Sequence, residues 1–518
     1  MKRLFRVLLL FLILSFIIKI PGASAEKALS EKRINEIEEI VTRSMKEWKV
    51  PGVAMAVIKD GRIIYTKGFG YRDAKNKLPV TTETVFPIGS CSKAFTSFIA
   101  GLLVDEGILD WDKPVISYLP DFRLYDPSAT RLMTVRDMLC HRTGLPTGAG
   151  ELMNFVEEFS RKDIYERMRY LKPDRSFRES FEYCNMPFMT TGYLEERLCG
   201  KSWEELVRER IFKPLEMSNS SFSPDEIKKN PNYSLPYVVN NEEITEVEFA
   251  SIEALGPAGS INSNVQDMAK WLILHMKNGK IGDKQLISDT SLNETHSAQV
   301  VAPHYIPMRD KLPELEDVSY CMGWGVNNYR GHRMIWHGGT IRGFRASVGF
   351  LPREGIGIVF LSNGESEMRT FIPWVIYDRL LGLEPIDWNS RFKVIMSEHY
   401  KALKNKELSN KKKINKNAGK SKPSHIMSDF CGRFVNPVYG RIDIKVKNGS
   451  LKGTYYGYRF VLKHCYYDIF RANQEEPFKV QNPLGGELIQ FHTDGYGNIY
   501  SLSFCSFPET ERMVFKKH

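Results

Sequence analysis

The sequence has 518 residues, 42% hydrophobic and 26% charged, which suits a soluble globular chain of about two or three domains. Its formal net charge of +10 does not point to a nucleic-acid partner. Lys2, Arg3, Arg6 and Lys19 supply four of those charges, residues 401–425 (nine Lys against Glu407) supply eight, and the rest is close to neutral.

From the N-terminus, a basic start (Met1 to Arg6), an apolar run (Val7 to Ile18) and the small residues Ala23-Ser24-Ala25 form the three-part pattern of a secretory signal. The pattern predicts a leader over 1–25, a mature chain starting at Glu26, and a secreted or periplasmic protein. Membrane contact is expected only if that segment stays uncleaved, because no other stretch approaches the length of a spanning helix. None of the eight cysteines forms a C-x-x-C pair, so no zinc site or other metal site is indicated. At this length disulfides are not needed for stability, and buried free thiols fit as well as bridges.

Residues 30–48 read as an amphipathic helix. Val53 to Ile58, the turn Asp60-Gly61 and Arg62 to Lys67 read as a hairpin. Phe86 to Ser92 is an extended entry to a helix in which Ala94, Phe95, Phe98, Ile99, Leu102 and Leu103 recur at helical spacing over a broad apolar face. Residues 149–175 look helical and polar. Further helices are predicted at 188–198, 203–212, 265–276 and 370–381, and strands at 334–337, 345–351 and 355–361. Strands at both ends of a helical middle predict one antiparallel sheet, built from both termini and flanked by helices: an α+β domain over 26–392.

The chemistry-bearing residues fall on these elements. Ser90 starts the apolar helix, and Lys93 follows three residues on, on the same face. A Ser hydroxyl needs a base to become a nucleophile, and a desolvated Lys can be that base. S-x-x-K also occurs at Ser24, Ser390 and Ser409, so the pair needs support. Tyr183-Cys184-Asn185 offers a phenol to relay a proton and an amide to orient substrate. His337-Gly338-Gly339-Thr340 ends a predicted strand, where glycines let a substrate approach the edge. The backbone N–H groups of Ser90 and Thr340 can then form an oxyanion hole. Arg342 or Arg345, beside the same strand, is a candidate for binding a substrate carboxylate.

S-x-x-K, Y-x-N and H-x-G in this order resemble the serine β-lactamase-related hydrolases, which include class C β-lactamases, DD-peptidases and esterases and are classed with the S12 peptidases. Asp137-Met138-Leu139-Cys140-His141-Arg142-Thr143-Gly144-Leu145, Pro257-Ala258-Gly259-Ser260 and Gly323-Trp324-Gly325 resemble the same family, over about residues 30–390. The resemblance implies a β-lactamase/transpeptidase-like fold. It makes Ser90 the nucleophile, Lys93 its base, Tyr183 the proton relay and Asn185 a substrate-orienting amide, with no cofactor; His337, Gly339, Thr340 and Arg345 join them as expected substrate-binding residues through their place on and beside the strand. His337 stands where many members carry the Lys of K-T-G. This favours a peptidase or esterase acting on small peptides, amides or esters over a β-lactamase. A non-catalytic β-lactam or cell-wall-peptide binder is the reading from another class.

The Lys-rich stretch 393–425 reads as a solvated linker. After it, short alternating segments (441–446, 451–455, 458–462, 467–470, 478–480, 487–492, 499–504 and 512–515) predict a separate antiparallel barrel over 426–518. Phe430-Cys431-Gly432-Arg433-Phe434 and Ile442-Asp443-Ile444 resemble the small lipocalin-like domain appended to some of these hydrolases. Its aromatics are expected in its core, and it is a candidate for homo-oligomer contact.

Overall fold

The computed structural model describes residues 30–240, 242–306, 308–417, 421–475, 482–505 and 512–518. The predicted leader and the predicted strand 478–480 lie outside them. Helix α1 (Glu31–Trp48) starts at Ser30, whose hydroxyl accepts from Arg33 N–H, and buries Ile37, Val41 and Met45. Strands β1 (Gly52–Lys59) and β2 (Arg62–Asp73) are joined by Asp60 and Gly61, both at positive φ, the conformation a two-residue hairpin turn requires.

The chain then leaves the sheet for its helical middle and returns to it after residue 300. The sheet runs β4-β5-β6-β7-β8-β9-β1-β2-β3, where β3 is Leu78–Pro79, β4 Val300–Val301, β5 Leu315–Tyr320, β6 Gly325–Tyr329, β7 His332–Ile341, β8 Phe344–Leu351 and β9 Ile356–Ser362. Every neighbouring pair is antiparallel. β1 is central and buried on both faces. Val53, Met55 and Val57 pack with α1 and the C-terminal helices, while Ala54, Ala56 and Ile58 face the helical middle. That middle is built on α2 (Lys93–Asp105), α3 (Asn185–Cys199) and α4 (Val265–Met276), with Phe95 stacked on Trp271 at 4.0 Å. Helix α5 (Met368–Leu381) closes the other face.

Three features differ from the sequence expectation. Residues 149–175 form a 3₁₀ turn, Glu151–Phe155, and a short helix, Arg161–Arg167, instead of one long helix. The edge strand β4 and its neighbours β5 and β6 were not visible in the hydrophobic pattern. The Lys-rich stretch is carried as far as Asn417 on a continuous helix, α6 (Trp388–Asn417), whose buried start ties to α5 through Trp388 Nε1 donating to Asp378 Oδ2 at 2.8 Å.

Gly432–Asn436, Gly440–Lys447, Ser450–Tyr455, Tyr458–Tyr466, Ile469–Gln474, Leu488–Thr493, Ile499–Phe504 and Met513–Lys517 form a closed eight-stranded antiparallel barrel. The first and last strands pair through Phe434 and Lys517. Tyr467, expected in a strand, makes the turn before Ile469 at φ 45°. Phe434, Ile442, Phe460, Phe491, Leu502 and Phe515 fill the interior. The barrel docks on the broken segment of the helical middle. Phe155 packs on Tyr458 at 6.0 Å, Phe159 on Tyr456 at 5.6 Å, and Arg167 Nη1 donates to Pro437 O at 2.7 Å. All eight cysteines are free thiols.

Candidate active site

Ser90 lies in the 3₁₀ turn Gly89–Ser92 that leads into α2, and Lys93 is the first residue of that helix. Lys93 is fully buried. Its Nζ is 3.1 Å from Ser90 Oγ, 2.7 Å from Asn185 Oδ1 and 2.8 Å from Ala258 O. It also lies over the Tyr183 ring at 4.9 Å and the Phe188 ring at 5.4 Å. Burial among these groups pulls the amine from its ordinary 10.5 down to about 7, while the Glu151 carboxyl works in the opposite direction. The Tyr183 phenol moves the other way. Burial pushes it well above its usual 10, partly offset by its hydrogen bond with Ser90. At neutral pH the neutral amine is therefore accessible and the phenolate is not. This arrangement can take a proton from Ser90 at Lys93 and supply one from Tyr183.

The motif around His141 explains how Tyr183 is held. Thr134 and Asp137 cap the short helix Val135–Leu139 reciprocally, and the buried Asp137 carboxylate accepts from Arg142 and Arg178. Burial opposes its charge, but those partners hold it below its ordinary range. Arg142 and Arg178 tie this loop to the segment entering Tyr183. Glu182 N–H donates to His141 O at 2.8 Å, and Cys184 N–H donates to His141 Nδ1 at 3.2 Å. The His141 ring then lies 4.3 Å from that of Tyr183.

β7 supplies the opposite wall. β6 pairs only with His332–Trp336, so the edge beyond is open toward the Ser90 turn. Gly339 is needed there, since a Cβ would lie 1.9 Å from Ile88 O. A Cβ on Gly89, itself at φ 52°, would lie 2.9 Å from Thr340 N. His337 is buried. Its Nδ1–H donates to Gly338 O at 2.7 Å and its Nε2 accepts from Tyr320 Oη at 2.9 Å. Burial and the nearby Lys93 depress it to about 3, so it is neutral. It therefore cannot supply the positive charge of the Lys it replaces.

Arg345, the guanidinium expected at the site, lines neither cavity beside Ser90. It donates to Phe344 O at 2.8 Å and lies 3.5 Å from Glu365 Oε1. The guanidiniums that do line the cavities are Arg342 and Arg369. Arg369 reaches back from α5 to donate to Gly339 O at 3.0 Å and to Thr340 Oγ1. No motif pointed to Arg369, because its approach depends on how α5 packs.

Two cavities meet at Ser90, Tyr183 and Thr340. One, about 780 Å³, is the more polar of the two: Glu151, Asn185 and Arg342 line it with Gln474 and Asn482 from the barrel, beside Phe155, Ile252 and Leu255. The other, about 700 Å³, is walled by Phe181, Tyr305, Trp336, Trp374 and Phe392, with Arg369 at its side. Among the described residues no group of His, Cys, Asp and Glu is arranged to hold a metal ion, and no helix is long and apolar enough to cross a membrane.

The chain is similar to known proteins over most of its length. The family model described as Beta-lactamase matches residues 37–381, and one described as a domain of unknown function, DUF3471, matches residues 416–517. The chain is 27% identical over 425 residues to Unguisins hydrolase ungD' of Aspergillus campestris, covering 79% of this chain and 77% of that one. It is 23% identical over 340 residues to Protein flp of Staphylococcus aureus, covering 64% and 63%. Among solved structures, the octameric penicillin-binding protein homologue from Pyrococcus abyssi superimposes with a TM-score of 0.62 at 22% identity, over 93% of this chain and 100% of that one. The D-amino acid amidase from Ochrobactrum anthropi, complexed with L-phenylalanine amide, gives 0.55 at 22%, over 67% and 97%. Both share the fold.

Proposed function

The chain belongs to the Beta-lactamase family and is a serine hydrolase, and on that premise we propose that it hydrolyses small peptides, amides or esters through an acyl-enzyme on Ser90. The observation that carries this is the fully buried Lys93 amine, 3.1 Å from Ser90 Oγ and set near neutrality by its surroundings. Neutral Lys93 takes the Ser90 proton as Oγ bonds to the substrate carbonyl carbon. As the tetrahedral intermediate collapses, Tyr183 protonates the departing amine or alkoxide and regains its proton from Lys93. Water then attacks the ester by the same route in reverse. The carbonyl oxygen sits between the Ser90 turn and the open edge of β7, where the Ser90 and Thr340 N–H groups are the candidate donors.

The two cavities support a substrate with unlike ends. An aromatic or aliphatic group suits the ring-lined side, and a hydrogen-bonding portion such as a peptide suits the polar side. Neutral His337 favours the peptidase or esterase reading over β-lactam hydrolysis. Export rests on the N-terminal pattern, and N-terminal sequencing of secreted protein is expected to begin at Glu26. Assembly into a homo-oligomer is proposed from the likeness to an octameric homologue. Turnover of D-amino-acid peptides and amides, p-nitrophenyl esters and nitrocefin, by wild type and Ser90→Ala, tests the activity. Hydrolysis of a peptide, amide or ester that disappears in Ser90→Ala is expected. Turnover of nitrocefin alone, or turnover undiminished in Ser90→Ala, overturns the reading.

A further inference from the structure

Lys93 has three hydrogen-bond neighbours, and their chemistry fixes which way its lone pair points. A neutral lysine amine has two N–H bonds and one lone pair. Ala258 O, at 2.8 Å, can only accept. Asn185 Oδ1, at 2.7 Å, also accepts. If both take an N–H, the lone pair is left for Ser90 Oγ–H at 3.1 Å. A base needs this arrangement, and it fails if the Asn185 amide turns over. The amide NH₂ would then face Lys93 and compete for the lone pair.

The far side of Asn185 decides between the two orientations. Glu151 opens the 3₁₀ turn after Gly150, and its Oε1 lies 3.4 Å from Asn185 Nδ2. An ionised carboxylate only accepts, so it selects the amide NH₂ and leaves the oxygen for Lys93. We propose that Glu151 is a positioning residue for the reaction: by accepting from Asn185 Nδ2 it fixes the amide orientation that aims the Lys93 lone pair at Ser90. The inference rests on the Ser90 acyl-enzyme reading.

Glu151 also acts on Lys93 through charge. Cys91, Cys184, Tyr183, His141 and His337 also face the amine. Burial leaves each of those uncharged near neutrality, since it raises the thiols and the phenol and lowers the imidazoles. Glu151 is the acidic group among them that carries charge when ionised, although burial raises its own pKa. The barrel lies against its turn: Tyr455 Oη, which donates to Tyr439 O at 3.0 Å, is also 3.3 Å from Leu152 O, and Phe155 packs on Tyr458.

The test uses the full chain and follows Ser90 labelling by a fluorophosphonate with mass spectrometry, as a function of pH, in wild type, Glu151→Gln and Glu151→Ala. The Gln side-chain oxygen still accepts from Asn185 but carries no charge. Glu151→Gln is expected to give a plateau labelling rate between wild type and Glu151→Ala, since its oxygen can accept from Asn185 but its amide does not enforce that orientation. Glu151→Ala is expected to lose about 10-fold to 100-fold at the plateau through misorientation. In both variants the acidic midpoint is expected to move to lower pH, because Lys93 loses a neighbouring negative charge. A wild-type plateau in Glu151→Ala, or a loss in Glu151→Gln as large as in Glu151→Ala, overturns the positioning role. A midpoint that stays put in both variants overturns the charge coupling. Wild-type protein that is not labelled at Ser90 overturns the nucleophile assignment itself, and is recognisable because no variant is then involved.

Discussion

Replacing Lys93 by Met removes a fully buried amine while keeping an unbranched side chain of similar length. The amine drops from an ordinary 10.5 to about 7 in the folded chain, chiefly through burial. At about 1.4 kcal/mol for each pH unit, that drop corresponds to about 5 kcal/mol. Below about pH 7 the folded and unfolded chains both hold the proton, and the whole cost of burying it is present. From about 7 to 10.5 the folded chain has released the proton while the unfolded chain keeps it. The unfolded state then binds more protons, so wild-type stability rises with pH across this window. Met has no such term. It does leave Asn185 Oδ1 and Ala258 O without their donor, at about 1–3 kcal/mol each, but that loss does not depend on pH. The expected result is that the stability difference moves in favour of wild type by about 2 kcal/mol between about pH 7 and pH 9. It should be flat below about pH 6. Urea unfolding followed by tryptophan fluorescence measures it, because all eight tryptophans, Trp48 to Trp388, lie outside the barrel. The same amine predicts an acidic limb near pH 7 in wild-type kcat/KM, where Lys93 loses its proton and becomes a base. A stability difference that does not change with pH, or a limb centred far from 7, would refute the reasoning.

Tyr183→Phe keeps the ring that packs on His141 but removes the proton relay, and is expected to slow acylation by about 10²–10⁴-fold with an unchanged circular dichroism spectrum. Gly339→Ala would place a methyl 1.9 Å from Ile88 O. It is expected to push β7 from the Ser90 turn, abolish ester turnover and cost about 1–3 kcal/mol in urea unfolding. Trp336→Ala enlarges the ring-lined cavity. It is expected to raise KM about 10-fold for esters with a bulky apolar group and to leave p-nitrophenyl acetate turnover close to wild type.

The parts of the site that could be read in the sequence are those set by local geometry. Ser90 and Lys93 meet because three residues span about one turn of helix, and a strongly apolar helix behind them predicts the burial that lowers the amine. The hairpin at Asp60-Gly61 and the strands around Gly339 carry their own turn and alternation signals. The residues missed were those placed by distant packing. Glu151 follows Gly148-Ala149-Gly150 in a segment that reads as a polar helix, and it lines the cavity from a 3₁₀ turn that packs against the barrel. Arg369 sits on the first turn of α5, where a charged residue usually meets solvent, and it reaches Gly339 and Thr340 across the sheet. Arg345 was expected in the cavity by its proximity in sequence to His337, but Glu365 and nearby carbonyl groups engage it instead. Strand β6 was hidden because Asn327 and Asn328 interrupt its apolar pattern, and β5 because Glu316 and Asp317 interrupt its own. Asn327 is nonetheless buried, accepting from Trp336 Nε1 at 2.8 Å.

These placements divide the site between two supports. Ser90, Lys93, His337 and Gly339 stand on the turn entering α2, on α2 itself and on β7 of the large sheet. Glu151 stands on a turn that the barrel holds, and Gln474 and Asn482 complete the same polar cavity from the barrel itself. The base thus finds its hydrogen-bond partners, Ser90, Asn185 and Ala258, within the hydrolase domain. The orientation of Asn185 and the shape of the polar cavity depend on a second domain. Disturbing the barrel interface should therefore act first on substrates that fill the polar side, and on the pH at which Lys93 works, before it acts on the fold around Ser90. A domain that served only to join subunits would have no reason to reach Glu151.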